Sequence, residues 1–127
     1  MEELKTKRIM IVDDHYMLRQ ALSFVLKAFQ DMMLVGQASS GREAVELCTE
    51  LNPDVILIDL VMPEMNGVEA IRAIRAMHPH IKFIALTSLG KDAPMTIAAI
   101  QAGANAYLSK QASVTEVIDT IRLVTQQ

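Results

Sequence analysis

Cysteine is almost absent from the chain: Cys48 stands alone among 127 residues, so no internal disulfide can form. Its helical spacing with Ala44, Leu47 and Leu51 makes it a small core side chain rather than a nucleophile. Long apolar runs are missing too, none approaching the ~18 residues of a membrane-spanning helix. The opening MEELKTK is charged and leads into a short strand, so neither a signal peptide nor a membrane association is expected. A reducing cytoplasm is the expected setting. Nor is there a basic excess: 12 Lys and Arg against 15 Asp and Glu leave a net charge of −3, without a nucleic-acid binder's cationic surplus. Repeats, low-complexity stretches and Gly/Ser linkers are likewise missing.

What is present is a globular composition, 51% hydrophobic and 21% charged. The length fits one domain over residues 1–127 with no second domain, folding from ~20,000 Å² of extended-chain surface to ~7,000 Å². Short apolar runs at 9–12, 33–35, 55–58, 83–86 and 106–108 read as strands covered on both faces. Segments of helical period separate them. Leu18, Ala21, Leu22, Val25, Leu26 and Phe29 form one stripe, with Arg19, Gln20, Ser23 and Lys27 opposite. A second helix spans 41–51, and a third follows Asn66-Gly67 with Val68, Ile71, Ile74 and Met77 on one side. The fourth takes Asp92 as N-cap, Pro94 in its first turn and Gly103 as its stop. Ser113 and Glu116 have capping-box spacing for a fifth. Strict alternation predicts an α/β fold, a parallel sheet with right-handed crossovers, helices on both faces and ligands at the carboxyl ends of strands.

Acids stand at those ends. The first strand runs into Asp13-Asp14 and the third ends on Asp59. If these strands are neighbours, three carboxylates converge, which is costly unless a cation or protons neutralise them. Hard oxygen ligands favour Mg²⁺ or Mn²⁺. The fourth strand delivers Thr87 and Ser88 to the same edge, and Lys110 follows the fifth. Hydroxyl, ammonium, metal and a carboxylate nucleophile together suit an aspartyl-phosphate site.

At Ile11-Val12-Asp13-Asp14-His15, Leu57 to Pro63, Met65-Asn66-Gly67, Ala85-Leu86-Thr87 and Gly103 to Lys110, the chain resembles the receiver domains of two-component response regulators. The likeness covers essentially its whole length and leans toward the NarL/LuxR-like subfamily. It implies a flavodoxin-like (βα)5 three-layer sandwich, strand order 2-1-3-4-5, whose Asp59 accepts a phosphoryl group from a sensor histidine kinase. By the same likeness Asp14 and Asp59 bind Mg²⁺ directly, Asp13 acts mainly through water, and Val61 gives its backbone carbonyl. Thr87 then hydrogen-bonds a phosphoryl oxygen, Lys110 pairs with its charge, and Tyr107 is the aromatic switch. Such a protein is a switch and not a turnover enzyme. Its reporting face, and a homodimer, would use the fourth helix, fifth strand and fifth helix.

The subfamily carries a helix-turn-helix output domain beyond the receiver, so DNA would be met only through a domain absent from this chain. The alternative is a stand-alone receiver acting by protein contact, with or without phosphorylation. An Asp-nucleophile phosphatase would want a second Asp where Val61 stands, and a Rossmann domain would want a Gly-rich turn in place of Asp13-Asp14-His15. Gln111 replaces the cis proline that much of the family has after its lysine, so a trans bond is expected. Val61 and Leu89, at positions that tune phosphoryl lifetime in the family, are apolar and imply slow self-hydrolysis. His15 is expected to serve the start of the first helix, Gly67 a turn, and His78 and His80 lack a third metal ligand.

Overall fold

The structure is a computed structural model that describes residues 5–126. Five strand–helix units follow in order: β1 (Lys7–Val12), α1 (Tyr16–Lys27), β2 (Met32–Ala38), α2 (Gly41–Leu51), β3 (Val55–Asp59), α3 (Gly67–Met77), β4 (Lys82–Thr87), α4 (Pro94–Ala102), β5 (Ala106–Ser109) and α5 (Val114–Thr125). All strand pairs are parallel and the order is β2-β1-β3-β4-β5, as expected.

Successive side chains of a strand point to opposite faces, and the three inner strands are apolar on both. Met10, Val12, Ile56, Ile58 and Phe83 pack with Ala44, Cys48, Ile71, Ile74 and Ala99 on one side. Ile9, Ile11, Val55, Leu57 and Ile84 pack with Leu22, Leu26, Val117, Ile118 and Ile121 on the other. The sheet is thus the middle of three layers, with α2, α3 and α4 facing α1 and α5 across it. Cys48 is fully buried as expected, and burial pushes its thiol up, away from nucleophilic use. Among the described residues, no helix is long and apolar enough to cross a membrane.

Several expectations need correction. The second and fifth strands are edges with one neighbour each, so they are only partly covered, whereas β3 is buried throughout. The stripe of α1 is rotated: Ser23 is buried and Ala21 exposed, because the helix presses Leu22, Ser23 and Leu26 against the sheet. Met77, at the last turn of α3, is half exposed. The N-cap of α4 is Ala93 rather than Asp92, with no side-chain cap bond; the Ala93 N–H instead donates to the Gly90 carbonyl, turning the chain before Pro94. The other helix signals hold. Gly103 ends α4 at φ 118°, and Ser113/Glu116 and Asn66/Glu69 form full capping boxes on α5 and α3.

Candidate functional site

The strand register builds the site. Val12 is level with Ile58, so the residues that follow, Asp13 and Asp59, leave the sheet side by side. Asp59 is level with Leu86, Thr87 with Ser109, and the Lys110 N–H donates to the Thr87 carbonyl at 3.1 Å. Four strands therefore deliver Asp13, Asp59, Thr87 and Lys110 to one carboxyl edge, where open α/β sheets place their ligands. No peptide bond among the described residues is cis, so Lys110–Gln111 is trans, and Lys110 still reaches inward.

Asp13 and Asp59 are buried, while Asp14 and His15 are exposed. Lys110 Nζ lies 3.0 Å from Asp59 Oδ2 and 3.2 Å from Asp13 Oδ2, close enough for attraction. Among the described residues neither oxygen has any other donor, and the one ammonium sits off the ideal bonding direction of both. We therefore read the lysine as a shared counter-charge that leaves both lone pairs open to a further ligand. Burial pushes the Asp59 carboxyl above its ordinary range; Lys110 pulls the other way and the Asp13 charge adds to the rise. Burial alone would lower Lys110, but the Asp59 and Asp13 carboxylates outweigh it and hold its ammonium above the usual lysine range.

The other oxygens have partners. Asp59 Oδ1 accepts the Val61 N–H at 3.2 Å, and Asp13 Oδ1 accepts the His15 backbone N–H at 2.8 Å. Thr87 is buried, and its Oγ1 accepts the Leu89 N–H at 2.9 Å, which leaves its own proton to donate. Val61 and Leu89 are exposed beside the acids, and Tyr107 on β5 is 41% exposed. Ser88 is exposed after β4 and forms no part of this bonded group.

Carboxylate oxygens of Asp13, Asp14 and Asp59 and a ring nitrogen of His15 all lie within 4.8 Å of one another. Two buried carboxylates that share one lysine, set in an oxygen-rich group, leave negative charge uncompensated and fit a hard divalent cation. His78 and His80 meet edge to face and belong to no such group among the described residues.

Three features were not read from the sequence. His15 does begin α1, but its ring makes no cap bond and turns to the acids, with Nδ1 2.8 Å from Asp13 Oδ1. Its place beside an acid pair was the available signal. Arg19 Nη1 donates to the Asp13 carbonyl at 2.6 Å, bracing the loop one helical turn away. Gly67 makes no left-handed turn; an added Cβ there would run into the Asp59 carbonyl oxygen and the Leu60 Cα. Only glycine lets α3 start this close behind the acceptor strand.

A (βα)5 sheet in this order, with paired acids, a strand-end aspartate, a threonine and a lysine on one edge, defines a receiver-type protein. The chain belongs to the response regulator receiver domain family, which it matches over residues 9–122. It is 40% identical over 117 residues to the response regulator GacA of Pseudomonas viridiflava, covering 92% of this chain and 54% of that protein. Likewise it is 44% identical over 115 residues to the transcriptional regulatory protein LiaR of Bacillus subtilis, covering 91% and 54%. The chain thus spans about half the length of these relatives. Among solved structures, the response regulator domain of Thermotoga maritima CheB matches with a TM-score of 0.90 at 34% identity, covering 97% of this chain and 98% of that one. The receiver domain of NarL from Mycobacterium tuberculosis matches at 0.88 and 28%, covering 96% and 98%.

Proposed function

We propose that this receiver accepts a phosphoryl group on Asp59 from the phosphohistidine of a sensor histidine kinase, and that the modified chain, a switch and not a turnover enzyme, controls an output such as transcription. The observation that carries this is the Asp59 carboxylate: buried at the strand end beside a second buried acid, Asp13, with one lysine shared between them, Lys110 Nζ lying 3.0 Å from Asp59 Oδ2. Asp14, Asp59 and the Val61 carbonyl would hold Mg²⁺, with Asp13 acting through water. When bound, the cation supplies positive charge against the carboxylates and the phosphoryl oxygens.

Asp59 attacks phosphorus in line through a carboxylate oxygen; the new P–O bond forms as the donor's P–N bond breaks and the histidine leaves with that electron pair. Lys110 pairs with the charge that arrives. Thr87 turns its free hydroxyl proton toward a phosphoryl oxygen, and the space it vacates admits the Tyr107 ring. A hundredfold shift toward the active state needs about 2.7 kcal/mol of differential stabilisation, which a few charge-assisted hydrogen bonds supply.

The reading extends to the output. Ile97 and Ile100 of α4 are 45% and 46% exposed, and Tyr107, Val114 and Leu123 are exposed on β5 and α5. That apolar surface supports a homodimer through α4, β5 and α5. The LiaR name, a transcriptional regulatory protein, supports an output in transcription; in our reading the chain works in the cytoplasm and DNA is met through a further domain.

The test is intact-mass measurement and peptide mapping after incubation with Mg²⁺ and acetyl phosphate, alongside a chelator control and Asp59→Ala. We expect one labile phosphoryl adduct on Asp59 that requires the metal. A folded chain that takes no adduct from either acetyl phosphate or a phosphorylated kinase domain would overturn the reading in favour of a receiver that signals by binding alone.

A further inference from the structure

The His15 ring faces the acids in a way that helix capping does not explain. It occupies the N-cap position of α1 with no side-chain cap bond, while Nδ1 lies 2.8 Å from Asp13 Oδ1, 3.3 Å from Asp14 Oδ1 and 3.2 Å from Lys110 Nζ. One ring atom is thus claimed by groups with opposite needs. The carboxylates want a proton from it, and the ammonium, which can only donate, wants its lone pair. Nε2 has no hydrogen-bond partner among the described residues and is free to carry the proton instead. With the proton on Nε2, Nδ1 presents a lone pair to the same space as the carboxylates, where Asp13 Oδ2 and Asp59 Oδ2 share a single lysine.

We infer that His15 Nδ1 is a further ligand of the cation site, biasing it from Mg²⁺ toward divalent transition ions that accept nitrogen, of the Mn²⁺, Co²⁺ and Zn²⁺ class. This rests on the reading that the acids hold a divalent cation. Ligand atoms on one such ion, each at ~2.0–2.2 Å, are at most roughly 4.4 Å apart. The Asp14, His15 and Asp59 atoms lie within 4.8 Å of one another, so a small side-chain movement brings the three onto one ion, with Asp13 behind a water. A bound ion also removes the repulsion between the Nδ1 lone pair and the carboxylates, since all of them then act as lone-pair donors to it. Imidazole suits transition ions, whereas Mg²⁺ keeps to oxygen and gains little from it.

The chain itself tests this. Mg²⁺ and Co²⁺ affinities are measured by competition against Mn²⁺, followed by the electron paramagnetic resonance of free Mn²⁺, for wild type, His15→Ala and His15→Phe. The ring is mostly exposed, and the phenylalanine keeps its bulk without the nitrogen. We expect the preference for Co²⁺ over Mg²⁺ to fall at least about tenfold in both variants while Mg²⁺ affinity holds within about twofold. The Co²⁺-loaded wild type should show a hyperfine-shifted imidazole N–H proton resonance that both variants lose. An unchanged preference, or equal losses for both ions, would overturn the inference while leaving the cation site standing. Failure of wild type to bind any divalent ion would overturn both.

Discussion

Asp31 and Asp59 are both buried aspartates, one at each end of the sheet, and the chain treats them in opposite ways. Asp31 precedes β2 and receives Arg122 in a fork, Nε at 3.0 Å and Nη2 at 3.1 Å, with Lys7 at 3.5 Å. The Arg122 guanidinium, outweighing burial, holds its carboxyl below the ordinary range. Asp59 is given one lysine, shared with Asp13, and burial lifts its carboxyl above that range. At the amino edge, the neighbouring Asp54 also accepts a bond, from the Arg8 N–H at 2.8 Å. A buried acid whose bonding capacity is met inside the chain braces the fold; one left unmet holds capacity for a partner from outside.

Changes at the carboxyl edge should break this contrast most visibly. Lys110→Met removes the only cationic side chain paired with Asp13 and Asp59 among the described residues, and should slow phosphoryl accumulation from acetyl phosphate roughly 10- to 100-fold, measured by intact mass. Gly67→Ala drives a methyl group into the backbone behind Asp59. It should cost about 2–3 kcal/mol in urea unfolding and weaken Mg²⁺ binding, because the loop carrying Val61 must shift. Pairing Val61→Asn with Leu89→Glu should shorten the adduct lifetime about tenfold, by giving an attacking water polar groups to orient it; a lifetime unchanged or longer would discard that idea.

The smallest effects lie in the pH dependence of stability, and the two acids should differ in sign. Asp31, lowered from 3.8, contributes stability that is present above about that pH and lost as pH falls through its native value. Asp31→Asn should lower the melting temperature at pH 7 and flatten the acid limb. Asp59, raised from 3.8, contributes in reverse, its ionisation costing stability as pH rises through the native value. Asp59→Asn should therefore raise the neutral-pH melting temperature without metal, as followed by circular dichroism.

Much of the carboxyl edge was legible because its ingredients are local. Apolar runs that stop on Asp13, Asp59 and Thr87 announce both the strand and where it ends, and a parallel sheet then aligns those ends. The capping box of α5 was legible for the same reason, since Ser113 and Glu116 satisfy each other within one turn. The amino-edge brace was not, because Arg122 lies 91 residues from Asp31 and no spacing rule links them. His15 had the same difficulty, its ring being turned by acids beside it and a lysine 95 residues on. Asp92 is not the cap because the loop turns one residue later, the Ala93 N–H donating to the Gly90 carbonyl, which leaves an alanine at that place. The rotation of α1 that buries Ser23 depends on how the helix meets the sheet, which a 3.6-residue period leaves open by one position.

The central claim, that the carboxyl edge holds unmet acids and the amino edge met ones, is tested most directly by titrating Mg²⁺ into a chain with ¹³C-labelled aspartate carboxyls and following each carbon by NMR. The account predicts saturable shifts at Asp13, Asp14 and Asp59, with Asp31 and Asp54 unmoved. Equal shifts at both edges, or a silent Asp59, would contradict it.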